Sequence, residues 1–192
     1  MKDLRHAQAA ISRASGAAVG ASFLAALAAQ AEPLPALGCY ARTYDAAHLS
    51  VHKKQIVSEA SLSIETRKDT PPYPFFATLR FSTKGRGEAA FSTFGACKEA
   101  GDGLLCNASL SAEETDLCKA KNDGVHHCRM GYDNSGSFRI AAAPEGVLVT
   151  IVERLEMPGP ETGGRSLYLY LSPGNAENRA FLLRRAEAKA CQ

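Results

Sequence analysis

Hydrophobic and polar residues alternate along the chain from Ile56 to Glu65 and again from Phe75 to Ser82. Successive side chains of a β-strand point to opposite faces of a sheet, so this alternation predicts two half-buried strands. The predicted inward positions are Ile56, Ser58, Ala60, Leu62 and Ile64 in the first strand and Phe75, Ala77, Leu79 and Phe81 in the second.

Shorter segments of the same kind follow, bounded by Gly, Pro, Asp or Asn. They predict strands at Ala89–Ala96, Leu104–Ala108, His126–Met130, Ser137–Ala141, Val147–Glu153 and Leu167–Leu171. The stretch Pro158–Gly164 is predicted to be a loop. One short helix is expected from Asp45 to His52, with Asp45 as its N-cap. In the tail from Ala176 to Ala190 the composition favours a helix, but the apolar run Phe181–Leu183 favours a last strand, which we prefer.

This pattern predicts a mainly β fold. About 8 to 10 short antiparallel strands joined by turns favour a small barrel or a two-layer sandwich, with one short helix. The alternation of strand and helix that a parallel sheet requires is not found in the sequence.

The first 31 residues have the layout of a secretory signal peptide. Lys2, Arg5 and Arg13 precede an uncharged run of 18 residues from Ala14 to Ala31. This run is rich in Ala, Gly and Ser and is weakly apolar, which favours cleavage after Ala31 over the alternative of an uncleaved membrane anchor. We therefore expect a signal peptide at 1–31 and a single β-rich domain at 32–192, located in the bacterial periplasm or secreted.

Charge limits the choice of partners. The chain has 22 Lys or Arg and 20 Asp or Glu, which gives a net charge of +2. Removal of residues 1–31 takes away three basic residues and one acidic residue and leaves 19 of each sign. A neutral domain has no long-range attraction for polyanions, so we expect no nucleic-acid partner. We also expect no transmembrane span once residues 1–31 have been removed.

All six cysteines follow the predicted cleavage point: Cys39, Cys97, Cys106, Cys118, Cys128 and Cys191. An even number of cysteines in an exported chain indicates disulfides. A Gly-Asp-Gly turn between Cys97 and Cys106 would bring these two together across a hairpin, and an Asn-Asp-Gly turn would do the same for Cys118 and Cys128. Cys39 then pairs with Cys191. Fifteen connectivities are possible for six cysteines, and the turns favour this one.

Candidate chemistry is sparse. No nucleophile elbow, phosphate-binding loop, zinc-protease motif or dinucleotide-binding motif is found in the sequence. His48 and His52 are spaced i, i+4 on the predicted helix and could chelate a metal, but no third ligand lies nearby, so we expect packed or solvated rings. We predict no cofactor and no metal.

Tyr168 and Tyr170 alternate with three leucines in the strand Leu167–Leu171. This alternation would project both rings towards solvent or into a barrel mouth, where they could form a binding patch, since tyrosine is favoured at interfaces. The alternative is that Phe181 or Arg184 from a neighbouring strand covers them.

Several segments together carry a resemblance to a known group of proteins: the opening CYARTYDAAHLSVHKKQ, then GLLCNAS and GVHHCRMGYDNSGSFRI, and a cysteine next to the last residue. In this layout the chain resembles exported alphaproteobacterial β-rich proteins to which no activity is assigned. The architecture is similar to calycin-like barrels, a class that includes ligand carriers and enzyme inhibitors. The chain lacks the G-x-W motif of lipocalins and contains no Trp, so the resemblance implies no lipophilic ligand and carries over no functional residue.

These features predict an exported envelope protein that acts as a non-enzymatic binding module for an envelope protein or a small ligand. One alternative is an inhibitor of a secreted hydrolase that presents the disulfide-pinned segment Lys98–Leu105. Another is a periplasmic hydrolase without a local motif. A hollow barrel would favour ligand carriage or catalysis, whereas a filled barrel would favour a protein partner.

Overall fold

A computed structural model of the chain describes residues 34–67, 73–86, 90–107 and 136–192, and the isolated helical positions 112, 113, 116 and 120. The predicted signal peptide, the predicted strand His126–Met130 and the cysteines Cys118 and Cys128 lie outside these residues.

The described part of the chain is mainly β, as predicted. Its strands are β1 Gly38–Thr43, β2 Val57–Thr66, β3 Phe75–Thr83, β4 Ala90–Ala100, β5 Gly103–Cys106, β6 Phe138–Ala143, β7 Gly146–Ile151, β8 Leu155–Thr162, β9 Arg165–Leu171 and β10 Ala180–Arg185. One short helix, α1, spans Ala46–Val51, and a 3-10 turn spans Ala188–Cys191. The preferred last strand is therefore present as β10.

Eight of these strands form a closed antiparallel barrel. Their order around the barrel is β1, β2, β3, β4, β5, β6, β7 and β10, and β10 pairs with β1 to close it. The fold is thus the barrel, one of the two architectures predicted. Strands β8 and β9 form a separate two-stranded sheet. They follow β7 and precede β10 in the sequence.

The alternation in the sequence correctly identifies most inward side chains, and one β-bulge accounts for the exception. Ala60, Leu62 and Ile64 are buried in β2, as predicted. The bulge between Val57 and Glu59 shifts the register at the start of this strand. Val57 is therefore buried instead of Ser58, and Ile56 is 41% exposed, so the predicted inward positions of Ile56 and Ser58 are wrong.

Bulky side chains fill the interior of the barrel. Phe81 and Phe181 meet at a ring-centroid distance of 4.8 Å in the same cluster as the leucines and valines of the other strands. Leu62, Leu79, Leu104, Phe138, Ile140, Val147, Val149 and Leu183 all have an exposed fraction of 0%. A side chain with no exposed surface touches no void large enough for a water molecule. The inward side chains of the described strands are therefore closely packed against their neighbours.

The helix α1 begins where the sequence predicts. Asp45 is its N-cap, and the Oδ1 atom of Asp45 accepts a hydrogen bond of 2.7 Å from the backbone N–H of His48. This bond satisfies one of the N–H groups that the first turn of a helix leaves unpaired.

The predicted loop Pro158–Gly164 is wrong, because most of it belongs to β8. Pro158 and Pro160 are compatible with this strand because β8 has β9 as its only neighbour in the described sheets and a bulge lies between Pro158 and Glu161. The turn is confined to Gly163 and Gly164, whose φ angles are +60° and +74°. Two consecutive residues with positive φ are typical of tight hairpin turns.

The β8–β9 hairpin is anchored to the barrel by its inner face. Leu155, Met157 and Leu171 are buried in the same cluster as the barrel core. Gly159 lies against the ring of Phe91, so closely that a Cβ atom at position 159 would be 2.6 Å from that ring. The hairpin therefore has one buried face and one face open to solvent.

Two predicted disulfides are present. Cys97 and Cys106 lie directly opposite each other in the β4–β5 pair and are bonded, with their Cα atoms 4.1 Å apart. Cys39 in β1 is bonded to Cys191 in the C-terminal 3-10 turn, across 152 positions of sequence. These pairings are confirmed, whereas the pairing of Cys118 with Cys128 stays a prediction. No described helix has the length and apolar character needed to cross a membrane.

Candidate functional site

The outer face of the β8–β9 hairpin presents two tyrosines side by side. Tyr168 and Tyr170 are 44% and 45% exposed, whereas Leu169 between them is buried. Their ring centroids are 6.3 Å apart and the ring planes differ by 23°. The guanidinium of Arg154 lies 4.4 Å from the ring centroid of Tyr170, within the range of a cation–π interaction. We call Arg154, Tyr168 and Tyr170 the tyrosine face.

The other strand of the hairpin completes this surface. Glu156 lies opposite Tyr170 and Pro158 lies opposite Tyr168, and directly opposite residues of an antiparallel pair share a face. Two aromatic rings, a proline, a guanidinium and a carboxylate therefore lie together on a small area. Aromatic residues and arginine dominate the energetics of protein interfaces, so this composition suits a protein partner.

Neither residue expected to cover the tyrosines does so. Phe181 is buried inside the barrel against Phe81, and Arg184 donates a 2.7 Å hydrogen bond to the carboxylate of Glu145. The tyrosines project outward because β9 belongs to the separate two-stranded sheet, whereas β10, which carries Phe181 and Arg184, belongs to the barrel wall.

The histidines of α1 stack on each other. The ring centroids of His48 and His52 are 4.3 Å apart, and those of Tyr44 and His48 are 4.8 Å apart. His48 Nε2 is 2.9 Å from Gln55 Oε1. Burial raises the pKa of Tyr44 above its ordinary value, and the nearby positive charge of Arg42 offsets part of this effect. Within the described ranges no three His, Cys, Asp or Glu side chains are grouped to hold a metal ion.

The segment Lys98–Leu105, predicted as an inhibitory loop in one alternative, lies in the barrel wall. Its residues pair along β4 and β5, and only Gly101 and Asp102 form the turn between them. Arg139 in β6 forms a salt bridge with Asp102 and holds this turn against the neighbouring strand. The segment is therefore a tight hairpin in the barrel wall, with Gly101 and Asp102 at its tip.

A groove outside β1–β3 contains two serines. It has a volume of about 290 Å³, and Ser61 and Ser82 are in its lining. A hydrolytic serine needs a general base within hydrogen-bond reach. The lining of this groove contains no histidine, so the groove does not support hydrolysis by a serine–histidine pair.

Sequence reasoning found the two tyrosines and missed Arg154. Arg154 lies in the short connection between β7 and β8, where no periodic pattern indicates a direction for its side chain. Only the folded hairpin brings its guanidinium over Tyr170.

The chain was compared with protein-family models, with curated proteins and with solved structures, and none of them matches. Function is therefore inferred from the residues of this chain alone.

Proposed function

We propose that this protein is an exported, non-enzymatic binding module of the bacterial envelope that binds a protein partner through the tyrosine face. The observation that carries the proposal is the filled barrel beside an exposed aromatic surface. The inward side chains of the described barrel strands are almost fully buried, with exposed fractions such as 0% for Leu79 and 1% for Phe81, which disfavours a small-ligand site among them. This packing favours binding through the outer surface of the described strands.

The composition of the tyrosine face supports a protein partner over a polyanion. Its two rings are held on a hairpin whose other face is buried in the core, and the guanidinium of Arg154 lies over one of them, so little conformational entropy is lost when a partner binds. The charge balance of residues 32–192 gives no general attraction for nucleic acid.

Two disulfides support export. Disulfides persist in oxidising compartments such as the periplasm and are rare in the cytosol. Together with the signal-peptide pattern of residues 1–31, they favour a periplasmic or secreted protein.

The similarity to calycin-like barrels also stays a proposal. In the closed eight-stranded order each barrel strand neighbours the next barrel strand along the chain and β10 closes on β1, which is the order of up-and-down barrels such as lipocalins. Lipocalins carry a ligand in the barrel, whereas the described inward side chains of this barrel pack against each other, so the similarity favours the members of the class that bind proteins.

Site-specific photo-crosslinking in the bacterial envelope tests the proposal. The full-length chain is expressed with a photoreactive phenylalanine analogue at position 168, or at Val51 as a matched exposed control on α1. We expect a product with a different envelope protein from position 168 and none from position 51. Equal products from both positions, or no heterologous product from position 168, would contradict the proposal. A product with twice the mass of the chain reports self-association, which is a separate question.

A further inference from the structure

The two strands of the β8–β9 hairpin differ in how their outer edges are protected. Strand β8 contains Pro158 and Pro160 and a bulge, which are devices that stop another strand from pairing. Strand β9 is a regular seven-residue strand, Arg165–Leu171, without proline or bulge. Within the described residues β8 is the only strand that pairs with β9, so no described strand occupies the other edge of β9, which we call its open edge.

Proline in β8 indicates which backbone groups of β9 face this edge. Pro158 lies opposite Tyr168 and has no N–H to donate. A proline fits an antiparallel ladder at a non-hydrogen-bonded pair, where the backbone groups of both residues point away from the partner strand. The N–H and C=O of Tyr168 then point to the open edge. Those of Tyr170, two positions along the strand, point the same way.

The sequence of β9 is complementary to itself. Residues 167–171 read Leu-Tyr-Leu-Tyr-Leu, which is the same in both directions. If two copies pair in antiparallel orientation about a two-fold axis at Leu169, Tyr168 lies opposite Tyr170 of the second copy and Leu167 lies opposite its Leu171. Aromatic pairs across strands stabilise a sheet, and a two-fold interface requires this kind of self-complementary surface.

We propose that two copies of this chain associate through their β9 edges to form a four-stranded antiparallel sheet in the order β8, β9, β9, β8. The leucines of the two copies continue one apolar face, and the two tyrosine faces merge into one surface with four rings and two Arg154 guanidinium groups. The outer edges of this sheet are the β8 strands. Their prolines and bulges stop further pairing, so the assembly ends at a dimer and does not grow into a fibre.

Sedimentation equilibrium of the purified protein, expressed from its full-length gene, measures the dimer without any partner. The wild-type protein is expected to show twice its monomer mass at high concentration and to dissociate on dilution. Tyr168→Pro removes an edge N–H and is expected to be monomeric, whereas Tyr168→Ser keeps that N–H and is expected to dimerise more weakly. A wild-type protein that stays monomeric up to its solubility limit would overturn the proposal.

A crosslinking experiment tests the register and does not depend on a proline variant that folds. The proposed axis places Ser166 of one copy opposite Ser172 of the other. This would be a hydrogen-bonded pair, because Ser166 and Ser172 alternate in step with Tyr168 and Tyr170. The Cα atoms of such a pair are about 5.5 Å apart, a distance that a disulfide can bridge. Ser166→Cys and Ser172→Cys, mixed and mildly oxidised, are expected to give a crosslinked dimer, and each variant alone is not. This register would be ruled out if no crosslinked dimer formed in the mixture, or if the mixture and the two single variants gave equal amounts of it.

The dimer is independent of the proposed function. A chain that dimerises but shows no heterologous crosslink at position 168 would contradict the proposed function and leave the dimer intact. A chain that stays monomeric but crosslinks to an envelope protein at position 168 would contradict the dimer and support the proposed function.

Discussion

At the scale of single residues, one buried amide holds the start of β2 in place. Asn178 has an exposed fraction of 0%, and its Oδ1 accepts hydrogen bonds from the backbone N–H of Ile56 at 2.9 Å and of Val57 at 3.4 Å. Its Nδ2 donates a 2.7 Å bond to the carbonyl of Lys54. These bonds connect the segment before β10 to the bulged start of β2, which sequence patterns cannot reveal because the two lie more than 120 positions apart.

Asn178→Ala is expected to lower the free energy of unfolding by about 1 to 3 kcal/mol, because it leaves buried backbone groups without partners. Urea denaturation measures this. The matched control is Asn175→Ala, since Asn175 is exposed and its side chain accepts one 3.2 Å bond from the N–H of Glu177. We expect that control to stay within about 0.5 kcal/mol of the wild type. Equal losses for both variants would refute the role of Asn178.

Tyr44 gives a prediction for alkaline pH. Burial raises its pKa above the ordinary value of 10.0, so the folded state holds the phenolic proton more tightly than the unfolded state. The stability that results is complete below about pH 10 and is lost as the pH rises through the folded pKa. The denaturation midpoint should therefore fall less between pH 9 and pH 11 for Tyr44→Phe than for the wild type. If the denaturation midpoint of Tyr44→Phe fell as much between pH 9 and pH 11 as that of the wild type, ionisation of Tyr44 would contribute nothing to the loss of stability.

At the scale of elements, alternation in the sequence was sufficient to identify β2, β3 and β9, because each has one buried and one exposed face. It failed at β8, where the residues Pro158, Gly159 and Pro160 resemble a loop. The strand forms there because Leu155 and Met157 are drawn into the core and because a strand that pairs on only one side tolerates proline. That packing depends on tertiary contacts, which no local pattern records.

The two disulfides should contribute unequally to stability. Cys39 and Cys191 are 152 positions apart, whereas Cys97 and Cys106 are 9 positions apart. By the chain-entropy model the long loop contributes about 5 kcal/mol and the short one about 3 kcal/mol. Guanidinium denaturation of Cys39→Ala/Cys191→Ala should therefore show the larger loss, compared with Cys97→Ala/Cys106→Ala. The opposite ranking would mean that the short disulfide matters chiefly through local packing in the barrel wall.

At the scale of the whole molecule, the sequence predicted a barrel or a sandwich but could not choose between them. An alternation with a period of two records which residues face the core, and it does not record whether the last strand pairs with the first. Closure depends on the pairing of Tyr40 and Ala41 in β1 with Arg185 and Arg184 in β10, residues about 145 positions away. Alternation likewise does not record that the inward rings of Phe81 and Phe181, from strands far apart in the sequence, pack against each other.

Export is the prediction that concerns the entire chain. The protein expressed in a bacterium from its full-length gene is expected in the periplasm with Glu32 as its first residue, because the small residues Ala29 and Ala31 suit signal peptidase. N-terminal sequencing of the fractionated protein measures this. An intact Met1 on cytosolic protein would contradict it.

The central claim is that the tyrosine face binds a protein partner, and the most direct test is the affinity of the Tyr168→Ser/Tyr170→Ser variant for the partner captured at position 168. Interface tyrosines can contribute about 2 kcal/mol or more each, so we expect the dissociation constant to rise by well over tenfold. The melting temperature should stay nearly unchanged, because both rings are exposed. Tyr168→Phe/Tyr170→Phe is the control that keeps the rings. An unchanged affinity in the serine variant, with an unchanged melting temperature, would contradict the account.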